Sequence, residues 1–547
     1  MIGDKDMPLR VSGTIVDVVA GNSYPGTLEI RNSRISNIEK GGGPYDTFII
    51  PGLIDAHVHI ESSMMVPSEF ARLAVRHGTV AAVSDPHEIA NVLGTRGINF
   101  MIENSRQTAF KFYFGAPSCV PATIFETSGA TIGPEQIEEL LKRDDIKYLS
   151  EMMNYPGVLY KDKSVMEKIA IAKKYGKRID GHAPGLTGSS LKKYIGCGIT
   201  TDHETVSYPE GLEKIRNGMK IQIREGSVAK DLETLLPLLD EFPDSCMFCS
   251  DDKHPNDLVQ GHINESVRRA LKHGIDPMKV LRCACLNPVR HYNLEVGLLQ
   301  KGDYADFVVV DDLKHFNILK TFIDGRLVAE SGKTLLPRVS FEAVNNFAAR
   351  EKTAEEFSVM TKGSVMNVIV AEDGQLISRR LREAPRDYGG KAVSDISRDI
   401  VKIVVVNRYQ DAPPGVGFIR NIGLKKGGIA ASIAHDSHNI VAAGVTDEDI
   451  TRAVNIVIEN RGGLSVVYDG TEKGLPLPVA GLMSDMEGSE VAEKYSELNR
   501  LAKGLGSRLT APFMTLSFMT LLVIPEIKLS DKGLFDSRKS AFMPLFE

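Results

Sequence analysis

The stretch Pro51-Gly52-Leu53-Ile54-Asp55-Ala56-His57-Val58-His59-Ile60-Glu61 reads as a buried apolar strand ending in two histidines two residues apart. On a strand, residues i and i+2 point to the same face. His57 and His59 therefore aim two imidazoles at one point. Imidazole is the commonest protein ligand for transition metals, so the stretch predicts a metal site.

Outward from this stretch the pattern is regular. From Pro51 to about Asn287, short apolar strands alternate with helical stretches such as Pro67–His77, Gly97–Thr108 and Leu258–His273. Such alternation argues for parallel β/α units. Candidate strands are Leu53–His59, Val80–Ser84, Lys111–Gly115, Ile146–Ser150, Arg178–Asp180, Ile199–Asp202, Lys220–Arg224 and Ser245–Ser250. Eight units predict a (β/α)8 TIM barrel over residues 51–296, whose chemistry sits at the C-terminal strand ends. Residues 1–50 read as small strands, and so does 297–339. The two are expected to pair into one flanking β-sandwich domain. Residues 340–547 read as an additional C-terminal α+β domain. No fixed-period repeat or low-complexity segment is present.

Composition narrows the function classes. The chain has 547 residues, too many for one ordinary core. A net charge of only -6 and no basic cluster argue against a nucleic-acid partner. The most apolar segment, Phe513–Ile524, is too short for a membrane span and closes on Pro525 and Glu526, so no membrane partner is expected. Met1–Asp6 is charged and predicts no signal peptide. The six cysteines lie on or beside apolar runs, which predicts a cytoplasmic protein with free thiols. Cys246-Met247-Phe248-Cys249 has no second pair and reads as buried structural thiols.

The strand ends carry His57 and His59, Asp85-Pro86-His87-Glu88, Glu151, His182, His203-Glu204, Arg224-Glu225 and Asp251-Asp252. Four histidines and two carboxylates converging on one barrel mouth predict a metal centre. His57, His59 and Asp251 are expected to hold one divalent ion and His182 and His203 a second, with Glu151 bridging. Two close cations lower the pKa of a shared water, and Asp251 is placed to take its proton. Asp252 either binds substrate or replaces Asp251 as ligand; Asp251 is preferred because it comes first after the strand. Glu204 either orients His203 or touches substrate. His254, His262, His273, His291 and His315 are expected in loops or on helical surfaces, outside the site. His435 and His438 stay open between a lid over the barrel mouth, a further ion site, and a helix start capped by Asp436 or Ser437.

These residues resemble the amidohydrolase superfamily, through P-G-x-I-D-x-H-x-H at 51–59, the carboxylate after strand four, the histidines after strands five and six, and the Asp after strand eight. The resemblance covers about residues 8–335. Further words are similar to the bacterial and archaeal adenine deaminase family: Ser84-Asp85-Pro86-His87-Glu88-Ile89-Ala90-Asn91-Val92, Asp180-Gly181-His182-Ala183-Pro184-Gly185, Ala434-His435-Asp436-Ser437-His438-Asn439, and Leu477–Ser484. The resemblance implies hydrolysis of adenine to hypoxanthine and ammonia by a metal-bridged hydroxide, two divalent ions (manganese or iron), a role in purine salvage, and adenine and water as substrates. It also supports Glu151 as the bridge, since no Lys stands at that strand end. Glu88, His87 and Glu225 are the candidates to face the purine ring, with Asp85, Glu225 and Asp252 as substrate contacts. A homo-oligomer is expected. The alternative is another binuclear amidohydrolase, such as an amino-sugar deacetylase. No P-C-x-x-C occurs, which sets aside the single-zinc nucleobase deaminases.

Overall fold

The computed structural model describes residues 8–547. The reading of Met1–Asp6 lies outside the described residues. Eight parallel strands form the barrel: β1 (Leu53–Val58), β2 (Thr79–Ser84), β3 (Lys111–Ala116), β4 (Ile146–Met152), β5 (Arg178–Gly181), β6 (Thr201–Asp202), β7 (Lys220–Arg224) and β8 (Cys246–Cys249). β1 to β5 pair in order, as do β6 to β8. The first gap is joined by Thr200 N–H donating to the Ile179 carbonyl at 2.9 Å. The second is closed where Asp251 N–H donates to the His57 carbonyl at 2.9 Å and His59 N–H donates to the Asp251 carbonyl at 3.2 Å. Strands such as Thr79–Ser84 are buried throughout, as parallel strands covered on both faces must be.

Two expected helices differ from their predicted extent. Leu258–His273 is broken into Pro255–Gln260 and Ile263–Lys272 around Gly261. Pro67–His77 is an α-helix to Ala74 followed by a 3-10 turn. Glycine at 261 halts the first helix, where helix propensity is lost.

The flanking strands from both ends of the barrel share one eight-stranded sheet. Phe48–Pro51 pairs in parallel with Leu9–Asp17 and antiparallel with Phe307–Val310. The sheet folds over on itself. Ile15, Leu28, Ile30 and Ile35 pack in one cluster with Phe307 and Phe322, whereas the alternate residues Val16, Ile50, Val308 and Val310 face the barrel core. Period-two alternation thus divides one sheet between two cores. The passage from this sheet into β1 runs through Gly52, where a Cβ would lie 2.2 Å from Val80 Cγ2.

The C-terminal region is built on a second eight-stranded sheet. In its central strand Ile400–Val406, Val401, Ile403 and Val405 join the core shared with the barrel. Val404 and Val406 face the helix Asp447–Glu459. The segment predicted too short for a membrane begins with the buried helix Pro512–Phe518. Among the described residues no helix is long and apolar enough to cross a membrane.

Candidate metal centre and active site

The barrel mouth gathers six of the predicted residues at bonding distance. His57 Nε2 and His59 Nε2 lie 3.2 Å apart. Asp251 Oδ1 is 3.5 Å from the first and 3.2 Å from the second. Glu151 splits its two oxygens: Oε1 is 3.3 Å from His59 Nε2, while Oε2 is 2.7 Å from His182 Nδ1 and 3.2 Å from His203 Nε2. Asp251, not Asp252, faces the histidines. Its backbone is left-handed, with φ 51°, a conformation Asp tolerates better than most side chains.

These residues fit divalent cations on the chemistry of the donor set. Two imidazole nitrogens at 3.2 Å cannot both carry protons without repulsion, and two shared carboxylates face them. Burial opposes ionisation of Asp251, yet hydrogen bonds from His57 and His59 outweigh it and hold the carboxyl well below the usual range. Glu151 behaves alike: burial is outweighed by the charges of His182 and His203. Ionised carboxylates are the form that binds metal, and the protons these carboxylates draw onto the imidazoles are the ones a bound cation would displace.

The surroundings brace this cluster. Asp55 accepts from His57 N–H at 3.3 Å, from Ser250 N–H at 3.0 Å and from His262 Nε2 at 2.8 Å, tying β1 to β8 behind the histidines. His254 and His262 do lie in loops, each just before a helix, but both are buried rather than on the surface; His254 sits 3.2 Å from the Tyr495 hydroxyl. Arg224 Nη1 lies 2.6 Å from Glu204 Oε1 and 3.2 Å from Asp251 Oδ2. Glu204 is thus bound to Arg224, with His203 farther away at 3.7 Å. From the silent third strand end, the Ser118 hydroxyl donates to the Glu151 carbonyl.

The remaining candidates divide. Asp252 lines the cavity and accepts from the Ser62 hydroxyl. His87 and Glu88 line it too, with His87 Nδ1 3.3 Å from Glu151 Oε1. Asp85 sits behind His87, accepting from its N–H at 3.1 Å. Glu225 is not brought into the site: it accepts from Leu232 N–H at 2.9 Å and pairs with Arg269. The reason is strand alternation, since Arg224 already points to the mouth.

His435 and His438 neither start a helix nor lie apart. Both bind Glu88: His435 Nδ1 is 2.7 Å from Oε1, and His438 Nε2 contacts Oε2. Ala434 N–H donates to His438 Nδ1 at 3.3 Å. That fixes the His438 proton on Nε2, where it donates to Glu88. Burial pushes the His438 pKa down to about 4, consistent with a neutral ring. The Glu88 cluster is therefore a hydrogen-bonded one, and His438 is not free to ligate an ion through Nε2. The loop is held from several sides: the Tyr409 hydroxyl donates to the Ser437 carbonyl at 2.6 Å, Thr520 Oγ1 donates to the His435 carbonyl at 3.1 Å, and Arg408 Nη1 donates to the His438 carbonyl at 3.2 Å. Leu376, Phe518 and Leu521 complete an apolar roof. Lys528, fully buried, donates to the carbonyls of Leu376 at 2.6 Å and Phe518 at 2.9 Å.

A family model described as the amidohydrolase family matches residues 48–328, and one described as the adenine deaminase C-terminal domain matches residues 375–541. Adenine deaminase of Methanosarcina barkeri is 52% identical over 543 residues, covering 98% of this chain and 98% of its own length. That of Sulfurovum is 54% identical over 536 residues, covering 98% and 99%. That of Borreliella burgdorferi is 47% identical over 542 residues, covering 98% and 99%. The matches run through the barrel that holds the histidine cluster and through the region that roofs it, and the chain belongs to the adenine deaminase family of the amidohydrolases.

Proposed function

We propose that the chain deaminates adenine hydrolytically to hypoxanthine and ammonia. The observation that carries this reading is the joining of the six-residue cluster, under one cavity, to a roof built from the region that adenine deaminases share. The amino-sugar deacetylase alternative is not favoured, since the near-identical lengths and identities of about half extend over the whole chain.

His57, His59, Asp251, Glu151, His182 and His203 would hold the divalent ions, which we take to be two, manganese or iron. When bound, such ions supply Lewis acidity that eases deprotonation of water near pH 7. Asp251 accepts a proton from the attacking water as its oxygen bonds to C6. Arg224, 3.2 Å away, holds Asp251 in place. The C6–N1 π pair moves onto N1, which takes up a proton; the C6–N bond then breaks as Asp251 returns its proton to the leaving amine, the hydroxyl on C6 releases its remaining proton to become the carbonyl, and ammonia departs. Glu88 and His87 face the purine ring, and Asp252 contacts substrate from the same cavity.

We also divide the chain into a sandwich domain (1–50 plus 297–339), a barrel (51–296) and a C-terminal domain (340–547), and place it in the cytoplasm as a homo-oligomer serving purine salvage. The free thiols support a reducing compartment, and sedimentation tests the oligomer. The deciding experiment follows adenine loss by ultraviolet absorbance after reconstitution with manganese, iron or zinc, beside a chelated control. Metal-dependent hypoxanthine formation is expected. Absence of turnover with every metal overturns the reading.

A further inference from the structure

The chemistry proposed above uses Asp251 and the Glu88 face but assigns nothing to His435 Nε2. His435 is 4% exposed, and its Nε2 has no hydrogen-bond partner. The same side chain lines the cavity above the metal-side cluster. Its other nitrogen, Nδ1, is fixed at 2.7 Å on Glu88. Its ring face is fixed as well, stacked on Phe518 with centroids 5.5 Å apart and planes 27° from parallel. Its backbone is held at both ends, by Ser517 Oγ accepting its N–H at 3.3 Å and Thr520 Oγ1 donating to its carbonyl at 3.1 Å. A buried polar nitrogen without a partner is costly to leave unmet. Here everything around it is arranged to aim it.

We propose that His435 is a specificity-determining residue of this site, donating a hydrogen bond from Nε2 to a ring nitrogen of the bound purine. The inference rests on the adenine reading and deepens it: the region beyond the barrel supplies a direct substrate contact as well as a roof. Phe518 and Leu521 beside it provide the apolar surface that a flat heterocycle covers. Glu88, with its second oxygen held by His438, keeps the imidazole from turning. The ring is cationic up to about pH 9, because the Glu88 charge outweighs the burial that opposes it, so Nε2 carries a proton to donate.

Two substitutions separate this role from mere support of Glu88. His435→Asn keeps a donor at the Nδ1 position and removes Nε2. His435→Gln keeps a donor at the Nε2 position and loses the Nδ1 grip. We expect His435→Asn to lower kcat/KM for adenine about 10- to 100-fold, the weight of one charge-assisted hydrogen bond, with metal content unchanged. His435→Gln should recover part of that loss. A panel of 1-, 3- and 7-deazaadenine as competitive ligands completes the cycle: one analogue should bind more weakly than adenine to wild type but equally to His435→Asn. Wild-type activity in His435→Asn, or equal losses with every analogue in both proteins, overturns the inference and leaves the deaminase reading intact. If either variant does not fold, the other, with the deaza panel on wild type, still decides. A wild-type protein that neither turns over nor binds any purine removes both readings.

Discussion

Glu151 and Glu88 both stand at the barrel mouth between imidazoles, and they are doing different things. Glu151 meets His59, His182 and His203, and the facing His57 and His59 nitrogens are only 3.2 Å apart. Glu88 meets His435 and His438, but Ala434 N–H occupies the far nitrogen of His438. The first arrangement leaves lone pairs converging on one space, which suits a cation. The second leaves a proton on each line of contact, which suits orientation of a side chain. Residue types alone do not separate the two; the backbone N–H on the remote ring nitrogen of His438 does.

The comparison breaks most sharply by removing each carboxylate in turn. Glu151→Gln should strip the divalent ions and abolish adenine turnover, read by elemental analysis and absorbance. Asp251→Asn should lower turnover on the order of 10²- to 10⁴-fold, the range of general acid–base catalysis, with metal retained; near-normal turnover removes its proton-carrying role. Glu88→Gln should lower turnover about 10²-fold at unchanged metal content. If Glu88→Gln also loses metal, the distinction between the two glutamates fails.

Two smaller tests sharpen the roof. Burial pushes the Lys528 pKa down to about 7 from an ordinary 10.5. Between those values the unfolded chain holds a proton that the native protein lacks, so stability rises with pH through this window. The slope approaches about 1.4 kcal/mol per pH unit. Lys528→Met should flatten the rise, measured by urea denaturation at pH 7, 8 and 9. Smallest is Tyr409→Phe, which removes the bond to the Ser437 carbonyl. It should lower stability by about 1 kcal/mol in the same assay, with metal content unchanged.

Much of this was legible in the residues themselves. A strand's two-residue period made His57 and His59 point together, and continuous apolar runs announced buried parallel strands. The same period also carries the misreading of Glu225, for of two adjacent residues at a strand end only one faces the mouth, and Arg224 does. Asp55 lay inside the most informative stretch, and its signal was a carboxylate in an otherwise apolar run. His435 and His438 could not be placed, because their partner Glu88 is some 350 residues away and no local spacing encodes a contact of that range. The role of Arg224 likewise depends on Glu204 and Asp251 arriving from two other strands.

The sheet that takes Phe48–Pro51 from before the barrel and Phe307–Val310 from after it has a temporal consequence. During synthesis its first half leaves the ribosome with its partner strands not yet made. At about 5–20 residues per second, the intervening barrel takes roughly 10–50 s to appear. For that interval Phe48–Pro51 is an open edge joined by one glycine to the strand that carries His57 and His59. Completion of the histidine cluster and sealing of that edge are thus successive events in the life of a new chain, and the edge is where a nascent molecule is most exposed to pairing with its neighbour.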